Sequence, residues 1–435
     1  MRKIFQYILM AVAVVVTTSC SNELDEALQS VGNGTLQFVV SDFPTFGEST
    51  QTRAIGTQDE GKTAWENGDQ IIVTLISQKY GEQAAALTYN GSSWSTEASL
   101  SYLENETPSV SVFYAPCYEV TEEGTMQLRS GMQLGMTEYL SGNYEMDNGI
   151  MTITFEGAIR TYSRLRIAGL ANQTLTVTTT GFTPAGATEV ATAAYTLTTD
   201  NNGNAFLYGV FAEGATVSVK QGDITLKDYT FTAEKNPNGT AHNKSYALDA
   251  TPVIDGTLGG KAEATEDDIT ALVEQLKEYV DNGITTIIVP GTEYAMYKSN
   301  LGTIPAFAEA LYLLTDLNED SPYCGTIDLI LPDATEIIDF SFDSADALKS
   351  ITLPKVTTVG DGAFYGCYYL QTITFGSVVT AINHNTKAEF HWVGKKVEGC
   401  DLVLNREQVN AEADYQPNIE TRTWWNTEWK SITLK

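Results

Sequence analysis

The sequence predicts a mainly β protein, with two tandem β-sandwich domains followed by an α/β repeat solenoid. Three observations predict this architecture. The chain has 435 residues, which is enough for about three domains. Short segments of alternating polar and apolar residues, separated by turn residues, fill residues 34–250. The C-terminal part repeats itself every 22 residues, a period in the range of leucine-rich repeats.

Domain boundaries are expected where the composition changes. A linker is expected where Pro252 and three glycines interrupt the pattern, and Thr265 with Asp268 then forms a capping box that begins a helix. The expected domains are a signal peptide at residues 1–19, a tether at 20–33, two β-sandwiches at 34–143 and 144–250, this linker at 251–264, and a repeat domain with a C-terminal cap at 265–435.

The charge balance excludes one class of partner. Lys and Arg total 25 and Asp and Glu total 55, which gives a net charge of −30. A surface this acidic repels phosphate backbones, so no nucleic-acid partner is expected. Charged residues make up only 18% and apolar residues 43%, so a folded chain is expected.

The N-terminus carries an export signal. Arg2 and Lys3 precede Ile8–Val16, an apolar run long enough for a signal peptide and too short to span a bilayer. Together with Cys20 this resembles a bacterial lipoprotein signal peptide. The resemblance implies that Cys20 bears acyl chains such as palmitate and anchors the protein to the cell outer membrane. The alternative is an ordinary signal peptide followed by an incidental cysteine.

An acidic cluster of Glu23, Asp25 and Glu26 follows this cysteine. The cluster resembles the surface-export signal of Bacteroidetes lipoproteins, which implies exposure on the cell surface. The alternative is a solvated tether that gives the protein reach from the membrane.

The C-terminal repeat is carried by apolar and proline positions. Leu331, Leu353 and Phe375 lie 22 residues apart, as do Pro332 and Pro354. One repeat cannot bury its apolar face alone, so neighbouring repeats stack and share a core. Earlier and terminal strands of the same stack are expected at Ile287–Pro290 and Trp429–Leu434.

One stretch of the repeats has a family resemblance. Leu348–Pro354 followed by Val359–Cys367, with its Ala-Phe-x-Gly-Cys element, resembles BspA-type leucine-rich repeats of bacterial surface proteins. The preceding repeat departs from that pattern at Asp339–Ala345. The resemblance implies adhesion to a host or bacterial protein or glycan. Alternation along the strands predicts the outward, ligand-binding face at Ile330, Thr352 and Thr374.

The region 34–248 resembles Bacteroidetes fimbrillin-like proteins. The resemblance is carried by Thr52–Ala54, Trp65–Asp69 and Val112–Pro116, in that order along the chain. It implies two β-sandwiches and pili built by strand addition between subunits. It also implies proteolytic processing after Arg53, and the alternative is an uncut arginine in a polar loop. A bulky C-terminal repeat domain favours a pilus tip or accessory subunit.

The sequence has no motif for catalysis, metal binding or cofactor binding. His242, His384 and His391 lie in no recognisable motif, so no catalytic residue, metal or cofactor is expected. Asp200–Asn204 lacks the spacing of a calcium loop and is interpreted as a hairpin turn.

The roles of the cysteines and of the C-terminal tryptophans are two further questions. Cys367 is expected to be a buried thiol, whereas a bond between Cys324 and Cys400 stays open. The cluster of Trp424, Trp425 and Trp429 is interpreted as the cap of the repeat core, with sugar stacking as the alternative.

The sequence therefore predicts a surface-exposed adhesion lipoprotein that acts as a pilus tip or accessory subunit. Its expected partners are other pilus subunits, a protein or glycan ligand, and the outer membrane through the lipid anchor. A surface binding protein outside any pilus is the first alternative. A glycan-active enzyme is the remote one.

Overall fold

The computed structural model describes residues 37–44, 62–102, 106–147, 150–155, 160–300, 302–316, 318–382 and 390–435. Over these residues the chain is mainly β with two α-helices, which confirms the predicted fold class at that level. None of the helices in this part of the chain is long and apolar enough to cross a membrane. The expectations for Cys20, Glu23, Asp25, Glu26 and Arg53 lie outside the described residues and stay predictions.

The first sheet has seven strands in the order β1-β9-β8-β5-β2-β3-β4, with β6 and β7 as a separate pair. The bounds are Gln37–Val40 (β1), Gln70–Ser77 (β2), Gly81–Tyr89 (β3), Trp94–Ser95 (β4), Ser109–Tyr114 (β5), Tyr118–Val120 (β6), Met126–Leu128 (β7), Leu140–Asp147 (β8) and Ile150–Thr154 (β9). Alternation in β2 buries Ile71, Val73 and Leu75 in the core of this sheet.

The end of the first sheet corrects the expected boundary between residues 143 and 144. The first residues of β8 pair with β5 and its later residues pair with β9. A boundary at 143/144 would divide this strand, because it falls inside Leu140–Asp147. The eight residues of the strand are enough to pair first with one neighbour and then with the other. The first sheet therefore continues to Thr154.

The second sheet has six strands, with the order β12-β11-β13-β10-β15 and β14 paired to β13. The bounds are Ser163–Ala168 (β10), Thr174–Pro184 (β11), Ala191–Thr198 (β12), Asn204–Gln221 (β13), Ile224–Thr230 (β14) and Ser245–Asp249 (β15). The Asp200 carboxylate accepts hydrogen bonds from the backbone N–H groups of Asn202 and Asn204 and so closes a turn. Strands β12 and β13, before and after that turn, both pair with β11. The turn therefore joins the two neighbours of β11 and is not the expected hairpin.

The C-terminal part is built on a six-stranded parallel sheet in the order β16-β19-β21-β23-β25-β28. The bounds are Thr286–Ile288 (β16), Met296–Lys298 (β17), Thr303–Pro305 (β18), Ile327–Ile330 (β19), Glu336–Ile337 (β20), Leu348–Leu353 (β21), Thr358–Val359 (β22), Thr372–Phe375 (β23), Ala381–Ile382 (β24), Asp401–Leu404 (β25), Thr423–Trp424 (β26), Thr427–Glu428 (β27) and Ser431–Leu434 (β28). A minor parallel sheet joins β20, β22 and β24. The expected early and terminal strands are both members of the main sheet.

Strand β25 is an element that the sequence pattern did not reveal. Leu402 pairs in register with Ile373, which lies 29 positions earlier, whereas Ile373 and Ile351 are 22 apart. The longer connection breaks the period, so a segment interpreted as part of a degenerate cap is a full strand of the sheet.

The two helices lie where the sequence placed them. Helix α1 is Glu266–Asp281 and helix α2 is Ala306–Leu313. The capping box of α1 forms as predicted, because the Thr265 N–H donates to Asp268 Oδ2 over 2.9 Å and the Asp268 N–H donates to Thr265 Oγ1 over 3.3 Å. The apolar stripe of α1 faces the core of the repeats.

The expected linker 251–264 is part of the repeat region. The Ile254 N–H donates to the Ile288 carbonyl over 2.9 Å, and the Ile288 N–H donates to the Pro252 carbonyl over 3.2 Å. Ile254 is buried in the same core as the repeats. This segment therefore covers the first edge of the parallel sheet, since otherwise that edge would expose unpaired backbone groups.

The second sheet contacts the repeat region at one turn. The backbone N–H of Asp223 donates to Asn282 Oδ1 over 2.9 Å, at the C-terminal end of α1. Ile224 inserts into the repeat core. Gly222 has φ +57°, and a Cβ atom there would lie 2.6 Å from Asn282 Oδ1, so glycine is needed for this close approach.

Candidate functional site

The repeats present a continuous outward face on the parallel sheet. Alternation buries Leu329, Ile351 and Ile373 and turns the following residue of each strand away from the core. Those residues, Ile330, Thr352 and Thr374, pair in register and are each partly exposed. The structure thus brings the three residues singled out from the sequence into one row.

A second outward row lies two residues earlier on each strand. Asp328, Ser350 and Thr372 are in register, and all three are partly exposed. The Ser350 hydroxyl donates to Asp328 Oδ1 over 2.6 Å, and the Ser431 hydroxyl donates to Asp401 Oδ1 over 2.7 Å. The sequence reasoning missed this row, although the same alternation predicts it.

The two rows give the face a mixed character. One row carries β-branched side chains and the other carries hydroxyls and carboxylates, so the face offers apolar contact beside hydrogen-bonding groups. Lys349 adds a cation at its border, with Nζ 3.5 Å from Asp328 Oδ2. Such a surface suits non-covalent recognition of an extended partner. Within the described ranges, no three His, Cys, Asp or Glu side chains are grouped to hold a metal ion.

The cysteines of the repeats are free thiols, including Cys324 and Cys400. Cys367 is buried as expected, and its thiol donates to the Phe342 carbonyl over 2.8 Å. Burial raises the pKa of both Cys367 and Cys400. These two thiols therefore behave as packing groups and not as nucleophiles.

The terminal tryptophans form the cap of the repeat core. Trp424 and Trp429 are buried against Phe390, with ring centroids 5.7 and 5.3 Å from it. Trp425 stacks on Tyr415 at 5.3 Å. The interpretation of these residues as a cap therefore fits the structure. The exposed tryptophan of the repeats is Trp392, which the sequence pattern did not indicate.

The histidines provide no metal site within the described residues. His242 and His391 are exposed, and His384 lies outside the described residues. Neither exposed histidine belongs to a group of metal ligands among those residues.

A second candidate site is the seat of the first strand. β1 runs parallel to β9, with Gln37 paired to Ile150. Just after it, Phe43 is buried against Trp65 and Tyr114, with centroids 4.8 and 5.4 Å away. Removal of this strand would expose the backbone N–H and C=O groups at the edge of β9 and an aromatic pocket. An added strand would pair with those backbone groups and place a side chain in the pocket.

A buried ion pair holds the chain that follows β1. Arg160 donates to Glu138 Oε2 through Nη2 over 2.7 Å and through Nε over 3.1 Å. Its Nη1 donates to the Pro44 carbonyl over 2.7 Å, and the Tyr162 hydroxyl donates to Glu138 over 3.2 Å. Burial raises the pKa of Glu138, while the Arg160 guanidinium opposes that shift.

Comparison with known proteins finds one family model that matches part of the repeats. The family described as BspA type leucine rich repeat region (6 copies) matches residues 323–389. No curated protein matches the chain. A solved structure from Bacteroides fragilis, described as a candidate cell adhesion protein, is 12% identical over 50% of this chain and 92% of its own, with a TM-score of 0.25. That likeness defines neither the fold nor the function of this chain.

Proposed function

We propose that this chain is a cell-surface adhesion protein whose leucine-rich-repeat solenoid binds a protein or glycan without turnover. The observation that carries the proposal is the outward face of the parallel sheet, where two rows of side chains run in register across neighbouring strands. The match to BspA-type repeats over residues 323–389 supports it, because the resemblance implies adhesion.

The N-terminal half supplies the means of display in this proposal. Acyl chains on Cys20 anchor the protein to the outer membrane, and Glu23, Asp25 and Glu26 direct it to the cell surface. Residues 20–33 are the tether. The two β-rich parts that follow act as tandem fimbrillin-like sandwiches, with the division between them after Thr154.

Assembly into a pilus as a tip or accessory subunit is the finer part of the proposal. Cleavage after Arg53 would release β1 and free the edge of β9 for a neighbour's strand. The buried contacts of Phe43 and the hydrogen bond from Arg160 to Pro44 support a defined seat for that strand.

The binding face is tested by blocking it. The double variant Thr352→Arg with Thr374→Arg places two long side chains on the row that begins at Ile330. We expect at least a tenfold loss of adhesion to host or bacterial cells. The matched control is Thr335→Arg with Thr380→Arg, on exposed threonines outside the face. Adhesion of cells or coated beads is counted under flow. Equal adhesion of both double variants and the parent would refute binding by this face.

Pilus assembly is tested by immunogold electron microscopy with antibody against residues 260–435. Gold at filament ends supports a tip subunit, and Arg53→Ala should then abolish incorporation. Gold scattered over the outer membrane without filaments would leave the surface adhesion protein and remove the pilus role.

A further inference from the structure

An exposed aromatic cluster lies on the turns of the repeats, away from the strand face. Trp392 contacts Tyr365, Tyr368 and His391, with ring centroids 5.2, 6.1 and 4.7 Å away. Tyr368 lies at 20° to Trp392, and Tyr365 lies at 20° to His391, so the rings form two stacked, nearly parallel pairs. Lys395 Nζ lies 5.1 Å from the centroid of Trp392. We name these five residues the aromatic ledge.

The repeat geometry dictates where Trp392 lies. The residue two positions after each stacked phenylalanine takes a left-handed backbone: Ser344 has φ +54°, Gly366 has φ +68° and Trp392 has φ +65°. Glycine adopts this conformation without strain, whereas a bulky side chain does not. The repeat therefore places an indole at Trp392, where the two preceding repeats have Ser344 and Gly366.

The ledge is open to solvent and presents polar atoms beside its aromatic rings. All six tryptophans lie within the described residues, and Trp392, at 40% exposure, is the most exposed of them. The indole N–H of Trp392 and the hydroxyls of Tyr365 and Tyr368 make no hydrogen bond to any described residue. The ledge therefore combines flat apolar surface with unoccupied donors.

The local charge distinguishes the ledge from the rest of the chain. The protein carries a net charge of −30, yet Lys395 forms no ion pair with any residue that the structure describes. The neighbouring Lys396 is paired with Glu319. Among the described residues, Lys395 is therefore an unpaired cation beside a tryptophan face, which is complementary to a ligand that has both an apolar face and a carboxylate.

We propose that the aromatic ledge binds a pyranose sugar that carries a carboxylate, as in a uronic acid or a sialic acid. The axial C–H groups of the sugar ring pack on Trp392, the carboxylate accepts hydrogen bonds from Lys395, and the tyrosine hydroxyls reach the sugar hydroxyls. This deepens the proposed adhesive function, on which it rests, by naming an acidic glycan as ligand and a site distinct from the strand face.

The test is a titration of the full chain with two acidic saccharides, in which binding is measured by calorimetry and by tryptophan fluorescence. Tetragalacturonate and its fully methyl-esterified form are one matched pair, and sialyllactose and lactose are the other. We expect saturable binding of at least one acidic saccharide, at least tenfold tighter than its neutral counterpart. The pair that binds identifies the uronic or sialic source.

Variants connect the binding to the ledge. Trp392→Gly restores the residue type of Gly366, so we expect at least a tenfold loss of affinity with no decrease in the thermal unfolding midpoint. Lys395→Gln should remove most of the preference for the acidic member of the pair. The control is Tyr80→Ala in the turn between β2 and β3, another exposed aromatic residue with a lysine, Lys79, 4.7 Å from its ring. It should leave binding unchanged.

Two results would overturn the ledge proposal: no saturation with either acidic saccharide, or unchanged affinity in Trp392→Gly. Adhesion of cells that still depends on Thr352 and Thr374 would then leave the proposed function intact. Saccharide binding that depends on Trp392, in a protein that mediates no adhesion, would instead support the ledge and refute the adhesive role.

Discussion

The first sheet and the repeat sheet are held together over very different distances along the chain. In the first sheet, Gln37 pairs with Ile150, which lies 113 positions later in the chain. In the repeats, Ile351 pairs with Ile373, its counterpart in the next repeat. Local pairing makes stability a sum of neighbouring interfaces, whereas long-range pairing makes the first sheet one cooperative unit.

The cores differ in chemistry as well. The first region closes around the buried pair of Arg160 and Glu138, whose loss affects several elements at once. The repeats are filled by a stack of Phe342, Phe364 and Phe390, with successive centroids 5.6 Å apart and ring planes within 15° of each other. The same chain therefore uses a buried polar contact in one region and repeated apolar contacts in the other.

The largest expected effect comes from the middle of the phenylalanine stack. Phe364→Ala leaves a cavity between two repeats and should lower the free energy of unfolding of the repeat region by about 4 kcal/mol. Hydrogen exchange followed by mass spectrometry should show lost protection in β21 and β23 and unchanged protection in the first sheet. Gln371→Ala, an exposed change in the same repeat, is the control and should stay within about 0.5 kcal/mol. Equal loss of protection in both regions would contradict the view that neighbouring interfaces alone stabilise the repeats.

A smaller effect, in the other region, is expected from the buried ion pair. Glu138→Gln leaves the Arg160 guanidinium buried without a counter-charge and should cost about 3 kcal/mol. The loss should spread over β1, β8 and β9 in the same exchange experiment. Glu119→Gln breaks an exposed pair with Arg129 and should cost no more than ~1 kcal/mol. Loss confined to the segment around Glu138 would show that the first region is less cooperative than the comparison implies.

The smallest effect is a pH dependence within the repeats. Burial raises the pKa of Asp346 from 3.8 to about 6 in the folded protein, and its carboxylate accepts the Tyr368 N–H over 3.2 Å. The folded state therefore holds this proton more tightly than the unfolded state. The resulting stability is fully present below pH 3.8 and is lost as the pH rises through about 6.

Asp346→Asn keeps the hydrogen-bond acceptor and removes the charge. At pH 7.5 it should be more stable than the parent by ~1 kcal/mol after solvent screening, and at pH 4.5 the difference should shrink. Thermal unfolding at both pH values measures this, with Asp320→Asn on an exposed loop as the control. A difference that does not change with pH would contradict the assignment.

Regular spacing explains which parts of the fold were predictable. The row of Ile330, Thr352 and Thr374 follows from a period of 22 residues combined with strand alternation, and both are local properties. Strand β25 was missed because its connection is longer, although Leu402 occupies the same place in the sheet. Periodicity detects equal connections, whereas the sheet requires only that each strand reach its neighbour.

The segment Asp339–Ala345, which departs from the repeat pattern, is a second case in which the sequence pattern does not predict the backbone. Phe340 and Ser344 take φ values of +57° and +54°, close to those of Gly362 and Gly366 in the next repeat. The backbone of the repeat is thus kept although its glycines are absent, because the stacked neighbour imposes the conformation.

The mainly β fold, the repeat, the capping box of α1 and the outward row of the strand face can all be predicted from the amino-acid sequence. Each of these depends on residues close together in the chain or on a regular spacing. Three other features are visible only in the folded chain: β8 pairs with two neighbours, Arg160 reaches Pro44, and Trp392 contacts Tyr365 and Tyr368 on one exposed surface. These contacts depend on where separate segments meet in space, which local pattern and composition do not specify.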